Sequence, residues 1–252
     1  MTAQEFNTRF DVLYNNITSN QAPGLDELEK SVFLTKAQDE IIKNYFLRQS
    51  NPKQAGFDNN QKRQADFSNI ISTYDINTTD HSAKFTEAMY ATQSSANNIE
   101  LPTDLFLVIN ELVNSSDRWL VVKSISFDEY DRLMQKPFKY PTHNQAWRLI
   151  VNTNKADVIV GPNEEISQYR MRYIRIPKPI IIGDLGGLTI NGYTFISTGT
   201  PSATQISGDN PCELDESLHE EILQRAVELA KVTWANPNDN TQMLIQTGSR
   251  SE

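Results

Sequence analysis

The residues that come closest to a working constellation lie on one short segment, Tyr169-Arg-Met-Arg-Tyr-Ile-Arg-Ile-Pro-Lys178. Here Tyr169, Arg170, Arg172, Tyr173, Arg175 and Lys178 interleave cations with aromatic faces. Such a set can contact phosphates and stack on bases. It suits a protein–protein interface equally well, because tyrosine and arginine are enriched there. Charge separates the two readings. Twenty-three Lys+Arg against 32 Asp+Glu leave a formal charge of −9, whereas a free-standing nucleic-acid binder draws much of its affinity from phosphate neutralisation. The interface reading therefore takes precedence.

Elsewhere the chemistry is sparse. His81, His143 and His219 sit in three separate segments, and none has a second ligand at metal spacing. His219 reads as a solvated or capping histidine. The acidic groups Asp128/Glu129/Asp131 and Asp215/Glu216/Glu220/Glu221 fall at the starts of expected helices, where the helix dipole favours negative charge. Gly183-Asp-Leu-Gly-Gly187 lacks the Lys-Ser/Thr ending of a phosphate loop and reads as a turn. No Gly-x-Ser-x-Gly elbow is present, and the single Cys212 excludes both an internal disulfide and a cysteine-based zinc site. The expectation is a protein that is not an enzyme and uses no cofactor or metal. Trp119, Trp147 and Trp234 read as core or interface anchors.

The elements that would carry these residues follow from periodicity. A chain of 252 residues makes one large domain or two small ones. No secretory leader is recognisable, and apolar runs such as Leu105–Ile109 are far too short to span a membrane, so a soluble chain made in a reducing cytoplasm is expected. Phe6, Phe10, Leu13, Tyr14 and Ile17 predict a helix over 2–18, and a second begins near Leu25. Thr35-Lys-Ala-Gln38 reads as a capping box opening a third helix through Phe46. Residues 48–65 read as a polar loop, and 77–98 give no assignment. Strands are expected over 101–113 and 119–125 around a turn at 114–117, then at 146–151 and 158–160, with a short helix from Ser126 or Asp128 to Met134.

Tyr169–Ile182 reads as one long strand, with Pro177 and Pro179 favouring an edge or strand end. Its alternation changes phase, because Arg170 and Arg172 share a face with Ile174 and Ile176. That predicts a bulge or a change of packing partner. Leu218, Ile222, Ala226, Ala230 and Trp234, four residues apart, predict a last helix over 215–235, capped by Asp215 or Ser217 and stopped at Asn236-Pro237. Residues 238–252 read as a tail.

Several of these segments also resemble the virion proteins encoded near the portal in crAss-like phages and related prophages. They are Leu25–Phe46, Lys62-Arg-Gln-Ala-Asp-Phe67, Leu101-Pro-Thr-Asp-Leu105, Tyr130-Asp-Arg-Leu-Met-Gln-Lys-Pro137, Gln145-Ala-Trp-Arg-Leu149, Tyr169–Ile182 and Cys212–Lys231. The resemblance covers most of residues 1–235. It implies a non-enzymatic structural protein of the neck or tail, with a head-to-tail connector ring beneath the portal as the preferred role. A portal-bound adaptor of this kind would hold about twelve copies. It would touch itself, the portal and other neck and tail proteins, and would pass DNA through its lumen without sequence-specific binding or membrane contact. It would be assembled in the host cytoplasm. The implied fold is α+β, with N- and C-terminal helices packing as a bundle around an inserted antiparallel β-rich domain. The expected divisions are 1–50, 51–210, 211–236 and 237–252.

Tyr169, Arg170, Arg172, Tyr173, Arg175, Ile222 and Trp234 are the interface candidates. The alternatives left open are a tail hub, a fibre-attachment or sheath-like component, an internal cargo protein, or a DNA-binding packaging accessory using the Arg/Tyr strand.

Overall fold

The computed structural model describes residues 1–17, 24–46, 61–76, 85–92, 95–136, 141, 144–183, 185, 187–196, 205–207 and 210–234. The chain separates into two units, one formed by Met1–Asn69 with Pro177–Glu252 and the other by Ile70–Ile176. The architecture is α+β, with helices at both ends of the chain and a curled sheet between them in sequence.

The first unit contains α1 (Ala3–Ile17), α2 (Glu27–Phe46), α3 (Gln61–Asp66), a long final helix (Glu216–Trp234), and a small sheet of β9 (Thr189–Ile190), β10 (Tyr193–Phe195) and β11 (Gln205–Ile206). Because one helix of the second unit, α4 (Phe127–Met134), precedes it, the final helix is α5. It packs against both α2 and α1. Phe6, Phe10, Leu34, Ile41, Ile42, Leu218, Ile222 and Leu223 are all fully or almost fully buried. Burying such apolar stripes is what makes helices of this length stable. At the start of α1, Thr2 N–H donates to Glu5 Oε2 (2.9 Å) and Glu5 N–H donates to Thr2 Oγ1 (3.2 Å), a reciprocal cap.

No helix begins at Thr35. A single helix runs through it, because the Thr35 and Gln38 side chains have tertiary partners instead of capping ones. Thr35 Oγ1 donates to the Ile180 carbonyl (3.4 Å) and Gln38 Nε2 to the Lys178 carbonyl (3.1 Å), while Ile182 N–H donates to Ser31 Oγ (3.0 Å). This polar stripe on α2 satisfies the backbone of the extended segment 178–182. Gly183 follows at φ 78°, where an added Cβ would run into the Glu27 carboxylate. Gly183 thus turns the chain against α2, in a conformation that favours glycine. The short α3 lies where a loop was expected, as residues 61–66 are helical.

The second unit is an eight-stranded sheet in the order β1-β8-β4-β5-β6-β7-β3-β2. Its strands are β1 (Ile71–Ile76), β2 (Phe85–Glu87), β3 (Ala96–Glu100), β4 (Leu105–Ser115), β5 (Arg118–Ser124), β6 (Gln145–Asn152), β7 (Lys155–Ile159) and β8 (Ile166–Arg175). Neighbours are antiparallel except β5 and β6, whose connection carries α4 (Phe127–Met134). Ser126 Oγ caps α4 by accepting the Glu129 N–H (3.2 Å). Ser116 and Asp117, both at positive φ, turn β4 into β5.

One face of this sheet makes a single core to which all eight strands contribute, including Ile76 and Phe85 from the two edges. Edge strands share a core only if the sheet curls upon itself. On the outer face, Trp147, Leu149, Ile159 and Ala96 are covered by Tyr130, Leu133 and Met134 of α4 and by Ala88 and Ala91.

The phase change expected in β8 coincides with irregular pairing. Against β8, strand β4 skips register between Leu105 and Leu107 and between Val108 and Asn110, opposite Arg172–Arg175. Both Tyr173 and Ile174 are buried there. The long strand expected to reach Ile182 ends at Arg175. Proline at 177 and 179 supplies no N–H to a ladder, and from Pro177 onward the chain belongs to the helical unit.

Candidate functional site

The outer face of β1, β8, β4 and β5 is the part of the sheet that α4 leaves uncovered. Register puts Asp75, Arg170, Leu112 and Val121 in one row across these four strands. A second row holds Thr73, Arg172 and Asn110, and a third holds Gln168, Asn114 and Trp119. Trp119 is 44% exposed and Val121 54%, both large for apolar side chains of a sheet. Strand alternation explains the division, since Leu120 and Val122 of the same strand point into the core. Arg170 lies with its guanidinium 5.2 Å from the Trp119 ring centre, and its Nε donates to Asp75 Oδ1 at 2.7 Å. These exposed contacts are each worth at most about 1 kcal/mol. Their main effect is to hold a flat aromatic–guanidinium pair in place.

The interface candidates of β8 divide between the two faces. Arg170 and Arg172 are exposed on the outer face, whereas Tyr169 and Tyr173 are buried in the core and Arg175 is half-buried at the strand end. Tyr173 Oη donates to Asp104 Oδ1 (2.9 Å); burial and that carboxylate push its pKa up to about 12. Tyr169 Oη donates to Glu111 Oε1 (2.9 Å), and Arg148 pairs with the same carboxylate. Burial raises the Glu111 pKa despite the opposing pull of Arg148 and Tyr169, and burial with the Glu111 charge keeps the Tyr169 phenol protonated. This cluster locks the curled sheet from within. It has no access for a substrate, since Tyr169, Glu111 and Arg148 are all buried.

Two further polar groups hold the sheet's outer elements. Asp157 accepts N–H groups of Met89 (3.0 Å), Tyr90 (2.7 Å) and Ala91 (3.0 Å) and the Asn98 amide (2.7 Å). Burial alone would raise its pKa, but these hydrogen bonds outweigh it and hold the carboxyl below its ordinary value. Glu164 accepts from Arg118 (3.0 Å) and Ser115 (3.4 Å) near the β4–β5 turn.

In the helical unit, Ile222 is completely buried, and Trp234 ends α5 with its side chain outside the described residues. His81 and His143 also lie outside them. His219 is buried, not solvated: its Nε2–H donates to the Leu214 carbonyl (3.0 Å) and its Nδ1 accepts from the Met1 ammonium (2.7 Å). Burial is the main cause of its lowered pKa, so the ring is neutral. Burial likewise pushes the Cys212 thiol up to about 12. Among the described residues, no cluster of three or more His, Cys, Asp or Glu could hold a metal ion, and no helix is long and apolar enough to cross a membrane.

Trp119 fits the reading of a core or interface anchor, whereas Val121 and Leu112 carry no such signal in the sequence. The run Trp119-Leu-Val-Val122 is apolar at both parities, and only curling of the sheet decides which parity is covered. The buried Glu111–Arg148 pair left no trace in sequence, since its members are 37 residues apart on strands that are not neighbours.

The comparisons with known proteins agree along the whole chain. The family described as phage tail ring protein 3/4 matches residues 1–242. "Ring protein 4/5" of Bacteroides phage crAss001 is 44% identical, with all of both chains covered. "Ring protein 3" of the same phage is 30% identical over 96% of this chain and all of its own length. The chain therefore belongs to the phage tail ring protein family of crAss-like phages, a structural part of the virion.

Proposed function

We propose that this protein is a head-to-tail connector ring, closing with about twelve copies below the portal and joining capsid to tail while DNA passes through. The observation that carries the reading is similarity over nearly the whole chain to two phage ring proteins, combined with an exposed Trp119/Val121 face that a monomer has no reason to keep. In this role the chain transforms no molecule. It works by burying interface area, and about 800 Å² per partner suffices for specific association. The chain's net charge of −9 supports a lumen that lets DNA slide without sticking. Its neighbours would be its own copies, the portal and other neck proteins, assembled in the host cytoplasm. Arg170 and Arg172 contribute directly to contacts, with Tyr169 and Tyr173 buried in the core of the same sheet, while Ile222 packs the helical unit.

A reconstruction of the intact particle tests this reading: the chain is expected as a closed ring between portal and tail. Density for it in a fibre, a hub or the capsid interior would remove the connector role. Salt-dependent binding of the isolated chain to DNA would favour the packaging-accessory alternative.

A further inference from the structure

The sheet unit carries two exposed apolar patches with opposite charged borders. One is the uncovered face already described, with Trp119, Val121 and half-buried Leu112 beside Arg170, Arg172 and Lys123. Its acidic member, Asp75, is paired to Arg170, and Lys123 reaches Glu129 at 3.5 Å. The other patch lies at α4, where Tyr90 stacks edge-on to Phe127 with ring centres 4.6 Å apart. Tyr90 is 41% exposed, Phe127 37% and the adjacent Met89 53%. Glu87, Asp128 and Asp131 border this knob, all exposed, with Arg132 the cation on the same helix. Tyr90 Oη donates to Asp131 at 3.1 Å, and three N–H groups of 89–91 are tied to Asp157, so the knob is rigid before any partner arrives.

We infer that the Tyr90/Phe127 knob of one copy docks on the Trp119/Val121 face of the next, making the head-to-tail contact of the ring. The inference rests on the ring reading above and names the surfaces that reading leaves open. Charge decides the pairing. Either patch laid on its own copy would oppose arginines to arginines or aspartates to aspartates, whereas knob on face brings Asp128 and Asp131 toward Arg170 and Arg172. Repeated head to tail, with the knob of each copy on the face of the next, this pairing is a heterologous contact, the kind that closes rings, whereas reciprocal pairing of two copies would stop at a dimer. Aromatic side chains meeting an arginine-flanked tryptophan are also the residue types that dominate interface energy.

The test uses the full chain in a Cys212→Ser background, with one cysteine introduced at either patch. Under mild oxidation, Val121→Cys mixed with Tyr90→Cys is expected to yield a mixed dimer, and the double variant a ladder of oligomers. Neither single variant should cross-link to itself. Independently, Arg172→Asp should weaken self-association about tenfold or more in sedimentation velocity. Mixing it with Asp128→Arg/Asp131→Arg should restore association. Self-cross-linking of Val121→Cys would overturn the pairing. Wild-type assembly with no mixed cross-link and no effect of the charge variants would also overturn it, while leaving the ring reading intact. A chain that stays monomeric both in solution and in purified tails would sink the ring reading and this inference together.

Discussion

Arg148 on β6 reaches across β5 to pair with Glu111 on β4, inside the core of the curled sheet, where Tyr169 donates to the same carboxylate. Removing one member of a buried ion pair leaves an uncompensated charge, at a cost of about 3–5 kcal/mol. Glu111→Ala and Arg148→Ala should each destabilise the chain by that order in chemical denaturation. The double variant should lose clearly less than the sum, because neither charge is then orphaned. Strict additivity would show that the two groups are not coupled.

Asp157 should contribute to the acid limb of stability. Its folded pKa lies below the ordinary carboxylate value. Its contribution is therefore fully present above the unfolded pKa of about 3.9 and is lost as pH falls through the folded one. Glu111 acts with the opposite sign. Its raised folded pKa makes its contribution greatest below the unfolded value, fading as pH rises through the folded one. Urea denaturation of wild type and Asp157→Asn between about pH 3 and pH 7 separates the two. The variant should be less stable near neutrality and show a flatter loss on acidification; an unchanged acid limb would contradict the assignment.

The polar stripe of α2 makes a distinct prediction about backbone satisfaction. Ser31→Ala leaves the Ile182 N–H without its acceptor, and Gln38→Leu leaves the Lys178 carbonyl without its donor. Each should cost about 1–3 kcal/mol. Amide exchange should report it locally, with the Ile182 N–H losing protection in Ser31→Ala. Retained protection at Ile182 would mean that Ser31 is not its partner.

Ile222 sits at zero exposure on α5, in the helical unit where α5 meets α1 and α2. Ile222→Ala should cost about 2–5 kcal/mol through lost burial and a residual cavity. A change under about 0.5 kcal/mol in denaturation would be inconsistent with a packed site.

Cys212 provides a probe of the same unit. With its thiol pushed to about 12, the folded chain carries almost no thiolate at pH 8. A thiol reagent should react at least about a hundredfold more slowly than with the unfolded chain. Comparable rates in both states would refute the environment assigned to it.

What the amino-acid sequence determined by itself is what depends on local periodicity and local steric rules. The four-residue spacing of Leu218, Ile222, Ala226 and Ala230 can bury one stripe only as a helix. Ser126 could cap α4 because its partner is three residues away, and the prolines at 177 and 179 ended β8 because they lack an N–H. The family resemblance was legible for a related reason, since it is carried by several such segments at once. The tertiary structure decided what depends on partners distant in the chain. Thr35 and Gln38 have the spacing of a cap, yet they bond to carbonyls at 180 and 178. Val121 and Val122 have the same side chain, and only the direction in which the sheet curls leaves one exposed and buries the other. The physical reason is common to these cases: a hydrogen bond or a covered face is a property of two surfaces, and the chain alone specifies the second surface only through the complete fold.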